Sequence, residues 1–192
     1  MTRIINTKGD LHYYTASILL NKDISLVTKD ERQKAKAANF GLIFGMGANS
    51  LIVSAKRDYK TDLTLEEAHL FIERFFNIYK GVKNWHQEVK KTEQGGKFTC
   101  YTLFGRKIVA DRFTSATNYG IQGSEADIIK LAMVMIDLEL QRRKSSAYFV
   151  NMVHDELVVE ADEEEADEIC ELISSTMIKA GKMIMKTVDV GA

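Results

Sequence analysis

The order of helix and strand patterns along the sequence constrains the fold most. The longest helix pattern runs from about Thr114 to Arg143. Gly120 and Gly123 weaken its first third, because glycine is unfavourable inside a helix. The following segment, "SAYFVNMVHDELVVE", has the pattern of strand, tight turn and strand, and an acidic helix start comes next. Helix patterns outnumber strand patterns and the strands come late in the chain, so we expect an α+β fold.

Shorter patterns predict further elements upstream of this helix. Leu11 to Asn21 is apolar enough for a short helix, and Thr64 to Glu67 fits a capping box ahead of "AHLFIERFFNIY". The stretch "KGVKNWHQEVKKTEQ" has the pattern of an amphipathic helix that the following "GG" ends. Two β-like runs, "KFTCYTLF" and "RKIVA", lie on either side of Gly105, and "KTVDV" near the end is one more strand candidate.

Composition excludes several classes of protein. The 192 residues are 45% hydrophobic, which is enough for a core, and no apolar run approaches the ~18 residues of a membrane span. Cys100 and Cys170 lie far apart without a CxxC or histidine cluster, so a disulfide scaffold or metal finger is not expected. We therefore expect a cytoplasmic protein without a membrane partner. The formal net charge of -1 neither demands nor excludes a polyanion as a partner.

The stretch "ERQKAKAANFGLIFGMGANS" combines helix-favouring residues with three glycines. Residues four apart share one broad face of a helix, and here that face carries Arg32, Lys36, Phe40 and Phe44. Cations at one end and aromatic rings at the other suit a nucleoside triphosphate, with phosphates on the cations and the base on a ring. The alternative is an ordinary amphipathic helix whose phenylalanines enter the core. The glycines favour the first interpretation, because a bare backbone lets a base or strand approach closely.

A second pattern is "MVHDELVVE", in which two apolar strand patterns meet at His154, Asp155 and Glu156. Adjacent carboxylates at the tip of a hairpin can hold a divalent metal ion. A plain polar turn, or a turn that binds a single metal ion, is the alternative.

Together these segments resemble one family. "RQKAKAANFGLIFGM" is similar to the fingers helix of family A DNA polymerases, and "VHDEL" resembles their second catalytic palm motif. "FFNIYKGVKNW", "TLFGRK", "NYGIQGSEADIIKLAM" and "GDLHYYTAS" resemble further family segments in the correct order. The resemblance covers about residues 9 to 190. It implies the C-terminal fingers and palm portion of such an enzyme, with fingers helices over residues 1–95 and a palm portion over residues 96–192.

The resemblance implies roles for residues of the fingers. It implies that the helix 30–46 binds the incoming nucleotide, at a site formed by His12, Arg32, Lys36, Phe40 and Phe44. Lys36 would also supply a proton to the leaving pyrophosphate and so belong to the catalytic residues. Phe44 stands where the family usually has tyrosine. Primer–template DNA would contact Gly45, Arg106, Lys107, Asn118, Gln122 and His154.

For the palm portion the resemblance implies a catalytic hairpin over residues 147–161. Asp155 would be a metal ligand and Glu156 an auxiliary catalytic carboxylate, in a reaction that uses two Mg²⁺ ions and a deoxynucleoside triphosphate (dNTP). The family's first aspartate motif, Asp-Tyr-Ser-x-x-Glu-Leu-Arg, does not occur in this sequence.

That missing motif sets the expectation for partners. We expect the first palm strand to be missing, which leaves an exposed palm edge. Either a second polypeptide supplies the first aspartate and the thumb, or the chain self-associates through the exposed palm edge. The function predicted is therefore template-directed DNA synthesis, in replication or repair, by a C-terminal fragment or subunit. The alternative is a non-catalytic remnant that binds primer–template DNA or dNTP.

Overall fold

The computed structural model describes residues 1–191 and confirms the α+β class. The predicted palm portion includes Ala192, which lies outside the described residues. The helices are α1 Thr2–Asn6, α2 Leu11–Leu20, α3 Lys29–Ile43, α4 Ala48–Tyr59, α5 Leu65–Ile78, α6 Lys80–Lys91, α7 Phe113–Arg143 and α8 Ala166–Ile184. The strands are β1 Phe98–Tyr101, β2 Lys107–Ala110, β3 Tyr148–Val153 and β4 Glu156–Glu160, and short 3-10 helices lie at Ile24–Leu26 and Glu163–Glu165.

The chain divides into two compact units. The first contains Met1–Cys100 and Lys107–Tyr119, and the second contains Tyr101–Arg106 and the chain from Gly120 onwards. The first unit therefore holds α1 to α6 and almost all of the β1–β2 sheet, and the second holds β3, β4 and α8. The assignment of residues 1–95 and 96–192 to fingers and palm stays a prediction.

In the first unit, α2 to α5 enclose the main apolar core. Its largest buried side chains are those of Leu19, Leu42, Leu51, Phe71 and Phe75. Helices α3 and α5 each begin with a full capping box, in which a threonine side chain and a glutamate three residues later bind each other's backbone N–H groups. The predicted capping box at Thr64 and Glu67 is thereby confirmed.

A second cluster in this unit joins α6, the β1–β2 sheet and the start of α7. Val89, Cys100, Ala110 and Ala116 are buried in it, and the Trp85 ring packs against them. The predicted apolar face of α6 therefore does enter a core. Its opposite face is exposed and carries mostly lysine and amide side chains.

In the second unit, the β3–β4 hairpin lies against α7 and α8. The two strands are antiparallel, with Val153 opposite Glu156 and an irregularity between Phe149 and Asn151. The side chains that form this core are Ile136, Leu140, Ala147 and Ile169, with Phe149, Leu157 and Val159 packed against them. The turn of the hairpin is thereby fixed at one end of a packed scaffold.

Three of the predicted elements can be compared with the structure residue by residue. The predicted helix 30–46 begins at Lys29 and ends at Ile43, because the backbone reverses direction at Gly45. The pattern from Thr114 to Arg143 does form one helix, α7, in spite of its glycines. The strand predicted for "KTVDV" is wrong: residues 186–190 form no strand, and Val190 packs against Gly181 of α8 instead.

None of the helices within residues 1–191 is both long enough and apolar enough to cross a membrane.

Candidate functional site

One face of α3, together with the start of α2, gathers charged and aromatic side chains. Arg32 and Lys36 lie on two successive turns of α3, and Phe40 follows on the third turn with 47% of its surface exposed. An aromatic ring this exposed on an otherwise well-packed helix remains available to a ligand. Phe44 does not continue the helix but is its C-cap residue.

Asp10 holds Arg32 in place from the start of α2. One carboxylate oxygen of Asp10 accepts hydrogen bonds from the backbone N–H groups of His12 and Tyr13, at 2.9 and 3.0 Å, and so caps α2. The other oxygen accepts from Nε and Nη2 of Arg32, at 2.9 and 2.8 Å. Burial raises the pKa of Asp10, but the hydrogen bonds from Arg32 and from the two N–H groups outweigh it, so the pKa lies below its ordinary value.

His12 is the second side chain that α2 contributes. Its Nδ1 lies 2.9 Å from Nδ2 of the buried Asn39, and its ring lies 5.8 Å from the Phe40 ring, centroid to centroid. Burial lowers the pKa of His12, and the positive charges of Arg32 and Lys36 lower it further against an opposing effect of Asp10. His12 is therefore neutral at neutral pH.

The structure thus brings together most of the predicted nucleotide-binding residues. The His12 ring contacts the Phe40 ring, the charge of Arg32 acts on His12, and the Lys36 ammonium lies 5.8 Å from the centre of the Tyr59 ring. Arg32 also lies over the Tyr13 ring, at 5.3 Å from its centre. The result is a cationic and aromatic surface on α3, and its role in binding a nucleotide stays a prediction.

Sequence reasoning missed two members of this surface. Asp10 was recognisable as an N-cap residue, because it directly precedes a helix pattern. No signal pointed to Asn39, because it does not belong to the four-residue spacing of Arg32, Lys36 and Phe40.

Gly45 ends α3 in a conformation that requires glycine. Its φ is +80°, and a Cβ atom there would lie 2.5 Å from Cε1 of Phe113. The Thr117 hydroxyl, one turn into α7, donates to the Phe44 carbonyl at 3.0 Å. The structure therefore provides an intramolecular reason for glycine at this position, and the predicted close approach of DNA to Gly45 stays a prediction.

The β3–β4 turn carries the predicted catalytic carboxylates. His154 has a φ of +54°, Asp155 completes the two-residue turn, and Glu156 is the first residue of β4. All three side chains are exposed. Carboxylate oxygens are suitable Mg²⁺ ligands, but no cluster of three or more His, Cys, Asp or Glu side chains that could enclose a metal ion occurs among residues 1–191. The donor set is therefore of the right chemical type but incomplete.

Arg106, predicted to contact DNA, is engaged within the second unit. Its Nη2 lies 2.8 Å from Oδ1 of Asp127 and donates to the Gly123 carbonyl at 3.1 Å. Burial raises the pKa of Asp127, but hydrogen bonds from Arg106 and Thr102 and the nearby positive charge lower it below its ordinary value. About half of the Arg106 side chain stays exposed, so its orientation is fixed while part of it remains accessible.

The remaining predicted DNA contacts lie on β2 and α7. Lys107, the first residue of β2, and Gln122 are exposed. Asn118, four residues before Gln122 on α7, is partly buried, and its Oδ1 is enclosed without a hydrogen-bond partner among the described residues. A buried carbonyl oxygen without a partner is unfavourable, so Asn118 has capacity for one further hydrogen bond.

Comparison with known proteins gives one consistent result. A family model described as DNA polymerase family A matches residues 1–191. The chain is 47% identical over 182 residues to DNA polymerase I of Aquifex aeolicus (strain VF5), covering 94% of this chain and 32% of that protein. It is 34% identical over 194 residues to the thermostable DNA polymerase I of Thermus filiformis, covering 94% of this chain and 22% of that protein.

A solved structure agrees with these relatives. The POL domain of Pol1 from M. smegmatis, in complex with DNA primer-template and dNTP, matches with a TM-score of 0.72 and 30% sequence identity. The match covers 93% of this chain and 32% of that one. The chain therefore spans at most about a third of the length of these relatives.

Proposed function

Because this chain belongs to DNA polymerase family A, we propose that it carries the nucleotide-binding surface and part of the metal site of a DNA-directed DNA polymerase. The observation that carries the proposal is the surface on α3, where Arg32, Lys36 and Phe40 lie on successive turns beside His12. The reaction is template-directed transfer of a nucleotide to a primer end, in DNA replication or repair.

In this proposal the α3 surface binds the incoming dNTP. Arg32 and Lys36 contact the triphosphate, because fixed cations on one helix face match a row of phosphate groups. Phe40 packs on the sugar and base, since at 1.5 Å per residue it lies about 12 Å along the helix from Arg32 and about 6 Å from Lys36. Lys36 donates a proton to the leaving pyrophosphate, and Phe44 lies beyond the base near the template.

The exposed carboxylates of the β3–β4 turn are proposed to hold Mg²⁺. Asp155 is the direct ligand and Glu156 the auxiliary carboxylate, in a complete site of two ions to which further carboxylates must contribute. Bound Mg²⁺ would stabilise the negative charge that develops on the phosphate oxygens. His154, whose side chain is exposed on the same turn, is proposed to contact the primer end.

Primer–template DNA is the proposed second partner. Its proposed contacts are Gly45, Arg106, Lys107, Asn118 and Gln122. Charge supports a polyanionic partner for the first unit, which contains 18 Lys and Arg against 12 Asp and Glu residues, a net charge of +6. The Oδ1 atom of Asn118 has no hydrogen-bond partner among the described residues, so Asn118 could gain a hydrogen bond when DNA binds.

We also propose that further polypeptide completes the second unit, either a longer chain or a second polypeptide. Within residues 1–191, β3 and β4 pair only with each other, which leaves two strand edges open. Tyr148, Val150, Met152 and Val158 expose apolar surface on the same hairpin. Self-association through this edge is the alternative, and light scattering of the purified chain would distinguish a dimer from a monomer.

A second candidate function is binding without catalysis. It is favoured by one observation, the incomplete set of carboxylates around Asp155 among the described residues. In this case the chain would still bind dNTP or primer–template DNA through the surfaces described above.

Primer extension tests the two candidates. The purified chain, Asp155→Ala and Asp62→Ala are compared with a matched primer–template, Mg²⁺ and one dNTP. Asp62 is the control, because it is an exposed carboxylate whose partner, Lys56 at 3.1 Å, is also exposed, and exposed pairs contribute little to stability. We expect extension that Asp155→Ala abolishes and Asp62→Ala retains. Extension that survives in Asp155→Ala would contradict the role of Asp155, and binding of DNA and dNTP without extension would favour the non-catalytic candidate.

A further inference from the structure

Asn39 is a buried polar residue directly behind the α3 surface. Only 2% of its surface is exposed, and its Nδ2 lies 2.9 Å from Nδ1 of His12. Its Oδ1 is enclosed and has no hydrogen-bond partner among the described residues. A fully buried amide that uses one of its two polar ends requires an explanation, because the unpaired oxygen is unfavourable.

The contact determines which nitrogen of His12 carries the proton. An amide NH₂ group can only donate, so Nδ1 of His12 must accept and cannot itself be protonated. The neutral imidazole then has its proton on Nε2, on the far side of the ring from Asn39. Burial and the positive charges of Arg32 and Lys36 lower the pKa of His12 and keep the ring neutral, against an opposing effect of Asp10.

The opposite orientation of the amide would also form one hydrogen bond, and it would leave the NH₂ group rather than Oδ1 in the enclosed place without a partner among the described residues. If Oδ1 of Asn39 faced His12, it would accept from a protonated Nδ1 and would no longer be unpaired. Nε2 would then carry a lone pair, which repels an anion. The orientation observed leaves Oδ1 without a partner but makes Nε2–H a donor, which is the form that can bind a phosphate oxygen.

We propose that Asn39 is a positioning residue that holds His12 in the Nε2–H tautomer, so that His12 donates to the phosphates of a bound dNTP. The proposal rests on the proposed function of the α3 surface and adds to it a residue that does not itself touch the nucleotide. Asn39 acts on the nucleotide only through His12.

Three variants separate this role from a structural one. Asn39→Leu removes the amide at similar size without adding a charge. Asn39→Asp places a carboxylate, which can only accept, against Nδ1. Gln33→Met is the matched control, because Gln33 lies on the same helix and its side-chain oxygen is also buried without a partner among the described residues, so this oxygen makes no hydrogen bond to His12.

Nitrogen NMR of histidine-labelled protein reads the tautomer directly. For the wild type and Gln33→Met at pH 8, we expect His12 with Nδ1 unprotonated and Nε2 protonated. For Asn39→Asp we expect protonation at Nδ1 and a titration midpoint higher by about one pH unit or more, since a carboxylate favours the charged ring. A protonated Nδ1 in the wild type, or an unchanged tautomer and midpoint in Asn39→Asp, would overturn the proposal.

Binding of Mg–dATP tests the consequence for the nucleotide. We expect Asn39→Leu to raise the Kd for dATP by roughly 2- to 10-fold, the range for loss of one hydrogen bond between neutral groups, here that between Asn39 and His12. Weak binding of deoxyadenosine, which has no phosphate, should be unchanged. Gln33→Met should bind dATP like the wild type. Equal dATP affinity of Asn39→Leu and wild type would contradict the proposal. A wild type that binds no dATP would instead contradict the proposed function, while the NMR result would still decide whether Asn39 sets the tautomer.

Discussion

At the scale of single residues, Asp10 performs two tasks with its two carboxylate oxygens. One oxygen caps α2 and the other binds Arg32 of α3. The pKa of Asp10 lies below its ordinary value of 3.8, so the unfolded chain binds a proton at a pH where the folded chain does not. Asp10 therefore stabilises the fold above about pH 4, and this contribution is lost as the pH falls through the lower, folded-state pKa.

Asp10→Asn tests this linkage. Asparagine is also a good N-cap residue, so the substitution mainly removes the charged bond to Arg32. We expect a loss of up to about 1 kcal/mol in the free energy of unfolding at pH 7, since the pair is partly exposed. The difference from wild type in urea unfolding should be constant between pH 7 and 5 and should shrink as the pH falls below about 4.

Asp23→Asn is the control for Asp10→Asn. Asp23 caps the 3-10 helix at Ile24–Leu26 and binds Ser25 rather than an arginine. The effect of Asp10→Asn should shrink in 1 M NaCl, where the Debye length is about 3 Å, and the effect of Asp23→Asn should not. An Asp10→Asn effect that is constant with pH and salt would show that the charged bond contributes nothing.

The sequence alone predicted part of this residue arrangement. Arg32, Lys36 and Phe40 could be placed on one face because helix periodicity relates residues of the same element. The contacts that Asp10 and Asn39 make join α2 to α3 across 22 and 27 residues of sequence. Such contacts depend on how two helices pack, and local periodicity contains no information about that.

At the scale of elements, α3 is limited by a specific start and a specific end. The capping box of Thr28 and Glu31 begins it, and the positive φ of Gly45 reverses the chain after it. Phe113 then occupies the space where a Cβ of residue 45 would lie. The glycine that looks unfavourable for a helix therefore belongs to the turn that follows the helix.

Gly45→Ala, with Gly81→Ala as its control, tests whether the turn after α3 requires glycine. Alanine at 45 is strained by the positive φ and collides with Phe113, so we expect a loss of more than about 1 kcal/mol in the free energy of unfolding. Gly81 lies in α6, where an added Cβ meets nothing within 4 Å, so alanine there should stabilise by about 0.5–1 kcal/mol. Denaturant unfolding that moves both variants in the same direction would contradict the account.

Element boundaries were predictable where a local chemical signal marks them. Thr28 and Glu31 have the same spacing as Thr64 and Glu67, so the start of α3 could have been found in the same way. The predicted end of α3 at residue 46 lies three residues beyond its observed end at Ile43. The helix-favouring pattern continues past Ile43, whereas the turn at Gly45 packs against Phe113, which lies 68 residues further along the chain. In place of the predicted strand near the end, Val190 packs on Gly181 of α8, nine residues earlier in the chain, and a strand pattern does not reveal such a tertiary contact.

At the scale of the whole molecule, the net charge of -1 conceals two oppositely charged units. The first unit has a net charge of +6, and the second, with 8 Lys and Arg against 15 Asp and Glu, has a net charge of -7. Within the first unit, α6 presents the exposed Lys80, Lys83 and Lys91 on the side away from Val82 and Val89. The distribution of charge between the two units therefore favours a polyanionic partner for the first unit, which the total charge does not indicate.

Salt dependence of binding to a poly(dT) oligonucleotide tests whether these charges act on DNA. We expect the affinity of the chain to fall steeply between ~50 and 200 mM NaCl. Lys80→Gln with Lys83→Gln should reduce the slope of log K against log salt by up to about 1.4, because each phosphate that a lysine neutralises on a single strand adds ~0.7 to the slope.

Lys179→Gln with Lys182→Gln is the control for the α6 lysines, because both residues belong to α8 in the acidic unit. This variant should keep the wild-type slope. Equal slopes for all three proteins would show that α6 does not contact the oligonucleotide.

Equilibrium binding of Mg–dATP to the wild type, Lys36→Gln and Lys34→Gln shows directly whether the α3 surface binds the triphosphate. Both lysines lie on α3, but Lys34 pairs with Glu67 at 3.1 Å and is outside the predicted nucleotide face. We expect Lys36→Gln to weaken dATP binding by about 10-fold or more, as for a hydrogen bond to a charged group, and Lys34→Gln to leave it nearly unchanged. Equal dATP affinity of the Lys36→Gln variant and the wild type would contradict the claim that this face of α3 binds the triphosphate.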